Sequence, residues 1–189
     1  MGVTAALAMS AVTTGYGRKI LLSDLDVEIA SGDVLSILGP NGVGKTTLLR
    51  AITGLRRPLS GEVRMMGREL RTIPFEERAK LVALVSQSES MTFSLTVLDT
   101  VLMGRAAHLG FFNKPGPKDI AIALASLAEM GVDHLAQQEM PSLSGGQRQM
   151  VRIARALAQQ AKIVILDEPT SHLDIANQLQ VLGAIRRLR

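Results

Sequence analysis

Cysteine and tryptophan are absent from this chain, and tyrosine occurs once. Without a thiol there are no disulfides and no thiolate metal sites, which fits a reducing compartment without requiring one. No run of about 18 apolar residues occurs, so no segment is expected to cross a bilayer as a helix. The apolar stretch Val3 to Val12 is short, is interrupted by Thr4 and Ser10, and lacks a basic leader. It reads as the opening strand and not as a signal peptide. Internal repeats, low-complexity tracts and linkers are missing too. The net charge of +4 is mild, and Lys and Arg form no tract, so nucleic-acid binding is not suggested. A weak attraction to phosphates or to an anionic leaflet is all the charge supports. The three histidines, His108, His134 and His172, lack metal-ligand spacing to one another. His108 and His134 read as surface residues.

What is present is a chain of 189 residues, 47% apolar and 20% charged, enough for one core or for a core with an inserted subdomain. Asp33 to Leu38 is an apolar run that predicts a buried strand ending in a glycine-rich loop. Thr46 to Thr53 then reads as a helix burying Leu48, Leu49 and Ile52. Pro58 and Ser60-Gly61 carry turn chemistry. Glu62 to Met66 reads as a strand closed by Gly67, Pro74 to Arg78 opens a short helix, and Leu81 to Val85 is a buried strand running into Gln87. Beyond it the spacing is mostly helical, over Thr96 to Met103 and Ile120 to Met130, with a loop from Phe111 to Pro117. Ser144 predicts the cap of a helix to about Gln160, its buried stripe being Met150, Ile153, Ala154, Leu157 and Ala158. Lys162 to Leu166 is a further buried strand, and Ile175 to Arg189 a last helix. The expected division is 1–87 for the first part of a core, 88–140 for a helical subdomain, and 141–189 for the remainder.

Two motifs carry chemistry. Gly39-Pro40-Asn41-Gly42-Val43-Gly44-Lys45-Thr46 is a G-x-x-x-x-G-K-[ST] loop between a predicted strand and a predicted helix, the context such a loop needs. Gly42 and Gly44 allow the backbone to curl so that successive N–H groups face the β- and γ-phosphates of a nucleotide. The helix adds its positive end, Lys45 adds a full charge between the two phosphates, and the Thr46 hydroxyl is a Mg²⁺ ligand. A lysine at a helix start is electrostatically unfavourable unless an anion faces it. About a hundred residues later comes Leu143-Ser144-Gly145-Gly146-Gln147, a pentapeptide expected by chance in roughly one chain in several thousand. Its serine and glycine amides make a second anion-favouring helix start. Asp167 and Glu168 end an apolar strand, where alternate facing would give two adjacent carboxylates separate duties.

Loop and pentapeptide together, in this order, resemble the ATP-binding subunit of the ABC transporter family. The resemblance covers nearly the whole chain. It implies an α/β fold: a P-loop NTPase core of mostly parallel sheet with flanking helices, an N-terminal antiparallel β part, and an inserted α-helical subdomain. It implies ATP hydrolysis with Mg²⁺. Asp167 matches the Walker B aspartate that holds the metal through water, and Glu168 the general base that polarises the attacking water. Gln87 matches the Q-loop that touches Mg²⁺ and that water, Thr47 the contact to the α-phosphate, and Tyr16 the aromatic that stacks on adenine. Ser171-His172-Leu173-Asp174 matches the D-loop that crosses a head-to-tail dimer, in which Ser144, Gly145, Gly146 and Gln147 of one copy close on the ATP of the other. Arg148, Arg152 and Arg155 read as a solvated stripe on that helix.

Val101 to Arg105 and Ser171 to Gln178 look like subunits of metal-chelate importers carrying iron–siderophore, haem, cobalamin or molybdate. Such a subunit works on the cytoplasmic face of the membrane, peripheral through an integral permease that a substrate-binding protein loads; the segment near Ser94 to Arg105 would receive the permease. Two rivals are a soluble ABC ATPase unconnected with transport and a non-catalytic nucleotide-binding remnant. One departure stands out. The family's γ-phosphate histidine lies on a strand that would follow Arg189, and that strand sits between the two nucleotide-bearing strands. The expectation is therefore a C-terminally truncated member with impaired hydrolysis, in which Val34–Leu38 and Ile163–Leu166 lack their shared neighbour.

Overall fold

The apolar opening stretch and the segments that pair with it build a sheet, as seen in a computed structural model that describes residues 5–86, 94–109, 113–171 and 173–187. Strand β1, Leu7–Tyr16, pairs antiparallel on one side with β2, Lys19–Ile29, and on the other with β3, Ser60–Met65. A turn at Met66 and Gly67, both at positive φ (49° and 76°), returns β3 into β4, Arg68–Glu69, the geometry that two-residue hairpin loops favour. The resulting order is β2-β1-β3-β4. Val12, Met65 and Val63 are buried in this part of the chain, together with Leu48, Ala51 and Ile52 of helix α1, Lys45–Ile52. Helix α2, Phe75–Leu81, leaves Phe75 exposed and anchors through Arg78, whose guanidinium donates to the Gly54 carbonyl.

The chain divides into two compact units, Met1–Val82 and Ala83–Arg189. In the second, β5 (Val82–Val85) and β6 (Ile163–Leu166) form a two-stranded sheet, extended by the Asp167 amide donating to the Val85 carbonyl. Four helices surround a single apolar cluster: α3, Val97–Leu102; α4, Pro117–Glu129; α5, Gly145–Ala158; and α6, Ile175–Arg187. At its centre lies α5, whose Met150, Val151, Ile153 and Ala154 are at most 2% exposed and join a cluster with Val97 and Val101 of α3 and Ala123 and Leu127 of α4. Each of the larger side chains, the Val, Leu, Ile and Met of this set, contributes roughly 1.5–3 kcal/mol by its burial. No helix among the described residues is long and apolar enough to cross a membrane.

Three expectations need correction. Asp33 to Leu38 forms no strand; Val34 is 67% exposed and Leu38 91%. An apolar run becomes a strand only when a neighbour takes its backbone hydrogen bonds, and no described strand pairs with this one. The opposite error concerns β2, for which no strand was anticipated. Leu25, Val27 and Ile29 alternate there with Asp24, Asp26 and Glu28, a period-two signal that the apolar run downstream obscured. Strand β6 is also less buried than expected, with Val164 38% exposed.

Candidate nucleotide site

The glycine loop lies in the first unit and owes its shape to two residues. Gly42 and Gly44 have φ of 79° and 116°, a region costly to any side chain. A Cβ on Gly44 would also stand 3.0 Å from the Cβ of Leu21. Gly44 is the residue before α1, and no side chain caps that helix start. The Lys45 ammonium turns back over the loop and donates to the carbonyls of Gly39 at 2.7 Å and Pro40 at 3.1 Å. It therefore spans the loop that Asn41 and Val43 complete. Thr46 and Thr47 occupy the first turn of α1. Thr47 is buried, and its hydroxyl donates to the phenolic oxygen of Tyr16 at 3.2 Å. That bond joins the adenine-stacking candidate to the phosphate loop. It is also the main reason the Tyr16 hydroxyl titrates below its ordinary value, with Arg50 and Arg56 adding to the effect. The Arg56 guanidinium lies over the Tyr16 ring, 4.0 Å from its centroid, a cation–π contact absent from the sequence reading.

The second unit holds the pentapeptide and the carboxylates. Ser144 and Gln147 form a reciprocal capping box, the serine hydroxyl accepting from the Gln147 amide at 3.2 Å and the Gln147 side chain accepting from the Ser144 amide at 2.9 Å. Such a box is worth about 1 kcal/mol. Gly145 begins α5 and is exposed, whereas Gly146 is buried. A Cβ on Gly146 would fall 2.2 Å from the Oδ1 of Asn177 on α6, so this glycine admits a close helix contact besides any ligand. Asn177 is itself held by Asp174, which accepts from the Asn177 amide at 2.8 Å and side chain at 2.9 Å. Asp174 thus caps α6. Asp167 is 5% exposed, while Glu168 is half-buried with φ of 49°. Both carboxylates lie beyond the end of β6, so the anticipated strand alternation does not reach them; the chain turns into the left-handed region at Glu168, and the Ser171 hydroxyl donates to the Glu168 carbonyl at 2.9 Å and secures that turn.

Glu168 opens on a cavity of about 220 Å³ also lined by Gly145, Arg148, Arg152 and Leu173. Arg148 donates to the Leu143 carbonyl. The arginines at 148, 152 and 155 are all half-buried and the first two line the cavity, so the expected solvated stripe is only partly exposed. His108 and His134 are exposed as expected. Gln87 and His172 fall outside the described residues. Thr46 and Asp167 are oxygen donors of the hard kind that Mg²⁺ selects, and the curled loop with its ammonium suits a polyphosphate. No cluster of metal-ligating side chains occurs among the described residues.

The family profile described as ABC transporter matches residues 22–171. The probable iron chelatin transport ATP-binding protein of Helicobacter pylori is 42% identical over 172 residues, covering 90% of this chain and 68% of that protein. The ferric enterobactin transport ATP-binding protein FepC of Escherichia coli is 37% identical over 177 residues, covering 94% and 65%. A solved transporter assigned to the metal-chelate ABC type, in an inward-facing conformation, superposes with a TM-score of 0.85 at 38% identity over 98% of this chain and 68% of that one. The chain spans about two thirds of the length of these relatives.

Proposed function

The chain belongs to the ABC transporter family, with the α/β fold of its P-loop NTPase subunits, and from that premise we propose that it is the ATP-binding subunit of a metal-chelate importer. It hydrolyses ATP in a head-to-tail pair with a second copy, on the cytoplasmic face of the membrane, and drives an integral permease fed by a substrate-binding protein. The observation that carries this reading is the presence in one chain of two helix starts built for anions. One is the lysine-bearing loop before α1, and the other is the Ser144 capping box before α5. One nucleotide needs one phosphate cradle, so the second serves a nucleotide held by a partner. The relatives that carry iron chelatin and ferric enterobactin support the cargo class, and we retain 1–87, 88–140 and 141–189 as the organisation.

The chain's own residues divide the work. Loop amides and Lys45 bind the phosphates, Tyr16 supports the adenine, and Thr46, Asp167 and Gln87 would hold the metal. A bound Mg²⁺ would supply neutralisation of the phosphate charge. Glu168 takes a proton from the attacking water. Its backbone is set by the left-handed turn that Ser171 secures. Glu168→Gln is expected to keep ATP binding, abolish turnover and trap the dimer, seen as an ATP-dependent doubling of mass by light scattering. Lys45→Ala is expected to weaken nucleotide binding instead. Parental turnover by Glu168→Gln would remove the base from the mechanism, and co-purification with RNA in place of a polytopic membrane protein would remove the transport assignment.

A further inference from the structure

The C-terminal end of α5 is closed from outside the helix. The last carbonyls of a helix have no partner within it, and here the chain continues through Gln160 at φ of 51° instead of the usual glycine. Arg105, 4% exposed, supplies what is missing. One of its terminal nitrogens donates to the Ala158 carbonyl at 2.7 Å and to the Gln160 side-chain oxygen at 3.0 Å. Its Nε donates to Asp119 of α4 at 3.0 Å, and Asp119 also accepts from the Gly116 amide at 3.0 Å. The His108 Nε2 lies 2.8 Å from the Gln159 carbonyl. Next to Arg105, Gly104 rests on α5 so closely that a Cβ would stand 2.2 Å from the Arg155 carbonyl oxygen. A guanidinium at a helix C-terminus is electrostatically favourable, and its planar fork fixes direction as well as distance.

The opposite end of α5 carries the Ser144 capping box. The helix between is 14 residues long, about 21 Å, with its inner face fully buried. It can move along its axis only as a body. We propose that Arg105 is a positioning residue that fixes the axial position of α5, and hence of the Ser144–Gln147 tip, relative to the segment Ser94–Leu109. Movement of that segment is thereby delivered to the tip through the Gly104 contact and the Arg105 fork. The consequence for turnover rests on the proposed role of Ser144 at the partner's nucleotide. The mechanical link does not.

Two measurements on the full chain test it. Arg105→Lys keeps the charge and loses the fork, and amide hydrogen exchange is expected to accelerate at the far tip, at Gln147 and Arg148, by at least about threefold. Residues 5–82 are expected to keep their rates. Asp119→Asn, which leaves Arg105 in place and weakens its hold, should give the same pattern at smaller amplitude. Changes confined to 104–119 and 155–160 in both variants would overturn the proposal. In ATPase assays Arg105→Lys should lower kcat about tenfold with KM for ATP held within about twofold. In a Ser144→Ala background most of that loss should vanish, because sites at opposite ends of a helix otherwise act independently. Full multiplication of the two losses would also overturn it. A parent without ATPase activity whose tip still responds to Arg105→Lys would sink the proposed function and leave this coupling standing.

Discussion

Substituting Gly104 by alanine tests the packing of the 94–109 segment on α5 with a magnitude set by the geometry. The added Cβ would meet the Arg155 carbonyl oxygen at 2.2 Å and its carbon at 3.2 Å. Both are backbone atoms of a buried helix, so no side chain can swing aside. Reaching ordinary contact requires the segment to lift by about 1 Å, an overpacking cost of about 1–3 kcal/mol. The neighbouring Arg105–Ala158 bond, 2.7 Å long, would stretch past the hydrogen-bond limit, which costs about 1.5–3 kcal/mol for a charged donor. Reduced freedom of the unfolded chain returns about 0.4–1 kcal/mol. The net expectation is a destabilisation of about 2–5 kcal/mol. Gly183 is the internal control. It lies within α6 with nothing inside 4 Å of a Cβ, so Gly183→Ala should stabilise by about 0.5–1 kcal/mol. Urea unfolding followed by far-ultraviolet circular dichroism reads both. If Gly104→Ala unfolded within about 0.5 kcal/mol of the parent, the close approach of the segment to α5 would be refuted.

Three further outcomes are expected. Tyr16 is the only tyrosine and there is no tryptophan, so phenolate absorbance reports that ring alone; Thr47→Val should raise its titration midpoint, because the lost hydrogen bond is the main cause of the lowering, and an unchanged midpoint would dissolve the Tyr16–Thr47 link. Asp119 is held below the usual carboxylate range by the Gly116 amide first and the Arg105 side chain second. A depressed carboxyl contributes stability above its unfolded value of about 3.9 and loses it as pH falls through the lower folded value, so Asp119→Asn should flatten the acid limb of the stability curve; an equally steep limb would refute the pairing. Gly146→Ala should push Asn177 off Asp174, an unfolding cost of about 1 kcal/mol, and Asn177→Ala should restore the stability while turnover stays low. Recovery of turnover together with stability would make Gly146 a packing residue alone.

What could be read along the chain was whatever depends on near neighbours. The 3.6-residue stripe of Met150, Ile153, Ala154, Leu157 and Ala158 foretold α5 and its buried face, Leu157 alone being half-buried, and Ser144 foretold the helix cap, though not its reciprocal partner Gln147, since both signals are local in sequence. Gly42 and Gly44 announced their positive φ for the same local reason. The strand assigned to Val34–Leu38 failed because a strand is a property of a pair, and hydrophobicity alone supplies no partner. Arg105 escaped for a related reason. Its ligands on Ala158 and Gln160 lie 53 and 55 residues away, and no periodicity links them; the residue looked like part of a docking segment, where burial is not expected of an arginine. Yet a buried guanidinium without partners would be so costly that its position is a constraint on the whole second unit. Arg105 holds α3's continuation, α4 and the end of α5 in one register, and the helix so fixed is the one that carries Ser144. The motif was legible and its aim was not: the residues that direct the tip are distant in sequence from the tip itself.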